Sequence, residues 1–162
     1  MMKSIKAAWL LFLLVLTLPL MAAEEKPAVD PAYTWDLTEL YPTVEAWSEA
    51  RDAVLAGLEK IIARRGTLGE SAEDLYTTLA LISDTQKEAA RVYTYAGLNA
   101  DEDLRETVTQ ERRQLAQSMF AQLGEATSWL QPEILRVGEE TIRSFIREDE
   151  RLERFAFQLD DA

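Results

Sequence analysis

From Val44 onward, apolar residues recur every three or four positions, the spacing that gathers side chains on one face of an α-helix. Val44, Trp47, Val54, Leu55, Leu58, Ile61 and Ile62 form the first stripe. Thr43 before it suits an N-cap, and Gly66 after it is the residue type that most readily ends a helix. A first helix is therefore predicted over residues 43–65, with Arg64 and Arg65 against the negative end of its dipole. Gly57 inside it costs about 1 kcal/mol relative to alanine, which points to a close helix contact there. Ser71 with Asp74 opens a second helix, whose stripe is Leu75, Leu79, Ile82, Ala89, Val92 and Ala96, with Gly97 as its stop. A third is predicted from Asp101 through Leu104, Val108, Leu115, Met119, Leu123, Ala126 and Trp129, roughly 29 residues and about 43 Å. Pro132, preceded by Gln131, begins a short helix that Gly138 ends. Two further pieces carry Ile142, Phe145 and Ile146, then Leu152, Phe155 and Leu159. No strand-like alternation of useful length and no internal repeat appears. The fold class is all-α: long antiparallel helices in a hairpin or bundle, followed by short C-terminal helices.

The segments before Val44 follow other rules. Lys3 and Lys6 precede an apolar run from Ala7 to Leu20, and Met21-Ala22-Ala23 leads into Glu24. A positive start, a short apolar core and a small-residue end make residues 1–23 a secretory signal peptide, cleaved after Ala22 or Ala23. The apolar run falls short of the ~20 residues of a membrane span, so an uncleaved anchor is the alternative. The expected location is periplasmic or secreted. Residues 24–34 read as an extended leader, with Pro27 and Pro31 and no periodicity. Residues 35–162 form one helical domain. Asp36 and Glu39 frame a single turn over residues 37–40, and Pro42 ends it. Trp35, Leu37, Leu40 and Tyr41 are expected to anchor this entry against the first helices.

Charge narrows the partners. The chain holds 17 basic and 29 acidic residues; without Lys3 and Lys6 the basic count falls to 15 and the net charge is −14. Such a surface repels phosphate backbones, so nucleic acid is excluded as a partner, and no membrane contact is expected after signal cleavage. A mature length of 139 residues from the 162 is enough for a core without cross-links, consistent with the absence of cysteine.

The chain has no histidine and no cysteine, which removes His-based acid–base pairs, Ser-His-Asp and Cys-His nucleophiles, and zinc sites needing imidazole or thiolate. Its six glycines form no phosphate-cradling loop. Paired carboxylates are the chemistry left. Asp101-Glu102-Asp103 reads as a helix cap rather than a calcium or acid–base site, and Glu148-Asp149-Glu150 as a solvated charge run. Asp101 with Arg105, Glu139 with Arg143 and Glu150 with Arg154 are spaced as helix-surface ion pairs. Tyr93 and Tyr95 read as core aromatics with hydroxyls at the edge, in preference to a binding platform. No catalytic, cofactor-binding or metal residue is assigned.

The order of these parts carries a resemblance. "WDLTELYPTVEAW", with Trp35, Asp36, Leu37, Leu40, Tyr41, Pro42 and Trp47, resembles the opening of the oligoendopeptidase F family. "GTLGESAEDLYTTLALISDTQKEAARVYTYAGLNADED", "SWLQPEIL" and "FIREDERLERFAFQL" resemble its following segments, so the match runs from Trp35 to Leu159. The resemblance implies a zinc metallopeptidase of the thimet oligopeptidase type, all-helical, with a deep channel that admits short peptides. Its zinc sits on a His-Glu-x-x-His helix with a downstream Glu ligand, and nothing in this chain matches that helix. What resembles the family is its N-terminal region, one wall of the channel. Many relatives are cytoplasmic, whereas this chain carries an export signal.

The resemblance makes the chain a fragment or truncated product that should be inactive alone, with no cofactor of its own and zinc only in the full-length family. Leu152, Phe155 and Leu159 would then form an uncovered apolar face open to self-association. The alternative is a free-standing periplasmic helical binding or scaffolding protein without enzymatic activity.

Overall fold

The computed structural model describes residues 34–160, and the expected signal peptide and most of the leader lie outside them. The helices are α1 (Val44–Ile62), α2 (Ala72–Asp101), α3 (Thr107–Thr127), α4 (Leu130–Val137) and α5 (Glu139–Glu148); a 3₁₀ segment (Glu150–Phe155) and α6 (Ala156–Asp160) complete the chain. There is no strand among the described residues, as the periodicity implies. No helix among them is long and apolar enough to cross a membrane.

Local chemistry sets the boundaries. Thr43 Oγ1 accepts from the Ala46 amide at 3.1 Å and starts α1. Ser71 Oγ accepts from the Asp74 amide at 3.0 Å and starts α2. Gly66 (φ 94°) and Gly138 (φ 87°) supply the two left-handed turns that α1–α2 and α4–α5 require. Pro132 sits in the first turn of α4, where a missing N–H costs nothing.

Three expectations fail here. Gly97 does not stop α2, which runs on to Asp101 because Ala96 and Ala100 are both fully buried and hold the next turn in the core. The third helix consequently starts at Thr107, and Asp103 shapes the intervening turn by accepting from the Arg105 amide at 2.9 Å. This leaves Leu104 outside the helix and 69% exposed. Gly57 marks no close contact either: a Cβ added there would meet nothing within 4 Å.

The long helices pack around α2. The start of α1 meets the last third of α2 through Trp47 and Val92, and the start of α3 meets the end of α2 through Arg113 and Asp101. Ile61, Leu68, Leu75, Leu79, Met119 and Leu152 are the fully buried centre. The short C-terminal elements return onto α2. Phe155 lies against Tyr76 at 6.4 Å, Arg151 stacks over the Tyr76 ring at 4.1 Å and pairs with Glu73.

This return overturns the uncovered C-terminal face. Leu152, Phe155 and Leu159 are 0%, 7% and 6% exposed, because the 3₁₀ segment turns them inward against α2 and α5. The outward residue there is Phe157.

One buried carboxylate closes the α1–α2 turn. Glu133, in the first turn of α4, is 4% exposed and accepts from the amides of Gly66 at 2.7 Å and Leu68 at 3.0 Å. Removing it strands the buried Leu68 N–H and withdraws the partner of Gly66. Glu133→Ala is expected to lower unfolding free energy by about 2–4 kcal/mol in urea titration, with Glu133→Gln losing less because its carbonyl still accepts one bond.

Candidate functional site

The densest polar and aromatic arrangement is built on Trp47. Its indole Nε1 donates to the Val92 carbonyl at 2.9 Å, and its ring stacks near Tyr95 at 6.3 Å. Arg51 and Arg112 lie over the ring at 5.4 and 5.7 Å. Arg51 pairs with Asp52 at 2.6 Å, and Arg112, only 9% exposed, donates to Asn99 Oδ1. The node thus joins α1, α2 and α3, and it offers no nucleophile or proton-transfer pair.

Tyr41 continues the node toward the chain entry. It meets Tyr95 edge-on at 5.6 Å and donates its hydroxyl to Glu88 Oε1 at 2.5 Å. Arg91 stacks over its ring at 5.3 Å and donates to the Leu40 carbonyl at 2.9 Å. Tyr41 and the half-buried Leu37 and Leu40 anchor the entry as expected, but Trp35 does not: it is 59% exposed and held by its backbone amide, which donates to Glu102. Asp36 accepts from the Thr38 amide and hydroxyl, so an Asp-centred turn replaces the expected reciprocal cap.

Four carboxylates of the two acidic runs, Asp101, Glu102, Asp103 and Asp149, hold a guanidinium or a backbone amide. Asp101 pairs with Arg113 at 2.9 Å, Glu102 takes the Trp35 amide, and Asp103 takes Arg105 at 3.1 Å. Asp101 therefore does not pair with Arg105, because Asp103 in the turn is closer to that guanidinium. Asp149 accepts from the Arg151 amide and pairs with its guanidinium at 2.6 Å, which holds the carboxyl below its usual range. Glu139 and Arg143 pair at 2.5 Å, and Arg154 lies over the Phe155 ring. Among the described residues, no group of three or more His, Cys, Asp and Glu is arranged to hold a metal ion. Tyr95 is core, as expected; Tyr93 is 39% exposed and packs edge-on with Phe120 at 5.1 Å.

A groove of about 570 Å³ lies between α1 and α3, lined by Leu55, Leu58 and Ile62 on one side, Gln122 and Ala126 on the other, with Glu59, Glu125 and Arg65 at its edges. Trp129 also lines it; its indole N–H is buried without a hydrogen-bond partner among the described residues. Helix periodicity yields Glu133, Arg112 and Glu88 only as polar positions, and no signal in the sequence marks them as partners of Gly66, Trp47 and Tyr41, 47 to 67 places away.

Burial and the neighbouring Glu88 carboxylate both raise the Tyr41 phenol above its usual pKa near 10. The folded state holds this proton more tightly than the unfolded state. Its contribution is complete below about pH 10 and is lost as pH climbs beyond that value. Melting temperature is expected to fall above pH 10, and Tyr41→Phe to flatten that fall.

No family model matches the chain. Oligopeptidase PepF of Bacillus subtilis is 31% identical over 147 residues, covering 86% of this chain and 22% of that protein. The plasmid oligoendopeptidase F of Lactococcus lactis is 26% identical over 134 residues, covering 82% of this chain and 22% of that protein. The crystal structure of oligoendopeptidase F from Enterococcus faecium superposes with a TM-score of 0.68 at 25% identity, over 74% of this chain and 24% of that one. The chain therefore spans about a fifth of the length of the relatives it matches. Over that span the chain is similar in sequence and in fold to the oligoendopeptidase F peptidases.

Proposed function

We propose that residues 35–162 are the N-terminal, non-catalytic helical region of an exported oligoendopeptidase F-like zinc metallopeptidase that hydrolyses short peptides, and that they form one wall of its substrate channel. The observation that carries this reading is the asymmetry of coverage: 86% of this chain against 22% of the Bacillus subtilis relative. Residues 1–23 act in this reading as a cleaved export signal and residues 24–34 as a leader. The alternative for the signal is an uncleaved anchor.

The chain's own groups do not fit the zinc that the family implies. It has neither histidine nor cysteine, and among the described residues its Asp and Glu side chains form no group of three or more that could hold a metal ion. No step through a metal is assigned to it. Its contribution is a rigid helical surface, fixed by the Trp47 node and the Glu133 clasp.

Burial of Leu152, Phe155 and Leu159 favours a second reading, a self-contained helical binding or scaffolding protein of the periplasm. Genomic DNA separates the two: a His-Glu-x-x-His sequence in the several hundred codons downstream supports the peptidase region, and unrelated sequence supports the scaffold.

The purified chain is expected to hold no stoichiometric zinc by elemental analysis and to leave a quenched fluorescent peptide uncut. One zinc per chain, or sustained turnover that co-purifies with it, would overturn the non-catalytic assignment.

A further inference from the structure

We infer that the groove between α1 and α3 is a docking site for a basic amphipathic helix supplied by another polypeptide. The two helices run side by side in the same direction. Arg112 of α3 covers Trp47 near their starts, and Ile62 and Ala126 line one cavity near their ends. Along α1, Val44, Leu55 and Ile62 lie on one stripe, with Val44 41% and Ile62 52% exposed. Along α3, Val108, Leu115 and Gln122 follow at seven-residue steps, with Val108 58% and Leu115 48% exposed. Seven residues make two helical turns, so each set stays on one face, and the apolar positions continue from the cavity toward the helix starts over about 27 Å by helix rise, interrupted by Arg51 and Gln122. A helix is the occupant whose ridges fit the trough between two helices, with apolar anchors at three-, four- and seven-residue steps.

Charge selects the kind of helix. Glu45, Asp52 and Glu59 follow at seven-residue steps beside the α1 stripe, all exposed, and Glu59 lines the cavity. Glu111 and Glu125 stand in the same relation on α3, both exposed, with Glu125 lining the cavity. Against these carboxylates stand Arg51, already engaged with Asp52 and stacked on Trp47, and Arg65 at one edge. An apolar floor between two acidic rims complements a helix with leucine-type anchors flanked by Lys or Arg. A second copy of this chain would bring acidic rims against acidic rims, and its groove would be repelled.

The test uses three labelled peptides and the full chain, followed by fluorescence anisotropy. One peptide carries leucines at helical spacing with flanking lysines, the second replaces the lysines by glutamates, and the third scrambles the first. The lysine peptide is expected to bind in a salt-sensitive manner, and the other two to bind at least about tenfold more weakly. Ile62→Asp and Leu115→Asp, both at exposed positions, should each weaken binding about tenfold, as should the pair Glu59→Lys with Glu125→Lys. Phe157→Asp, outside the groove, should leave it unchanged, with circular dichroism confirming the fold of every variant. Equal binding of the scrambled peptide, equal binding of the glutamate peptide, no binding at all, or indifference to the groove substitutions would each overturn the proposal. So would a stable dimer that Ile62→Asp dissociates, since a second copy would then occupy the groove.

Discussion

The indole of Trp47 is buried where α1, α2 and α3 meet, and its single N–H is spent on the Val92 carbonyl. A carbonyl inside a helix already serves its own ladder, so this bond uses the second lone pair and leaves no polar group of either partner unsatisfied. The ring then fixes three neighbours: Tyr95 stacks on it, and Arg51 and Arg112 cover it. Arg112 is nearly buried and reaches Asn99 across the α2–α3 pair. One side chain therefore sets the register of α1 against α2 and places α3 beside both. Tyr41, edge-on to Tyr95 and bonded to Glu88, extends the same packing to the chain entry.

At the other end of the long helices the constraint is polar. The turn after α1 passes through Gly66 at positive φ and exposes amides that no helix can satisfy. Glu133 arrives from α4 and takes two of them, so the position of α4 is tied to a turn 67 residues earlier in the chain. The C-terminal elements can then fold onto the start of α2, where Arg151 spans Tyr76, Glu73 and Asp149. Aromatic packing at one end and a carboxylate clasp at the other hold the described helices together and leave the groove between α1 and α3 at the surface.

The amphipathic stripes were legible in the sequence because burial of one helix face leaves a 3.6-residue period, and the caps Thr43 and Ser71 were legible because hydroxyls at those positions have one local use. Gly66 and Gly138 were legible for the same reason, whereas Gly97 was not: whether a glycine ends a helix depends on what the next turn buries, here Ala100. The fate of Leu152, Phe155 and Leu159 depended on a return onto α2 that no local spacing encodes. The same limit applies to Glu133, which in sequence is one more charge in a first helical turn. The order of motifs from Trp35 onward pointed to the oligoendopeptidase F family, and the relatives bear this out over a fifth of their length. The absence of histidine and cysteine was fully readable, since it is a property of composition.

Helices held together at both ends make a specific demand on dynamics. Native-state hydrogen exchange, read by NMR on the indole N–H of Trp47 and the backbone amides of Gly66 and Leu68, tests it most directly. The Trp47 and Leu68 protons should exchange only through global unfolding, tracking the denaturant dependence of the α2 core amides, with Gly66 protected alongside them. Fast exchange of the Trp47 indole, or of Leu68 independently of the α2 core, would contradict the account, because the node or the clasp would then open without unfolding the rest.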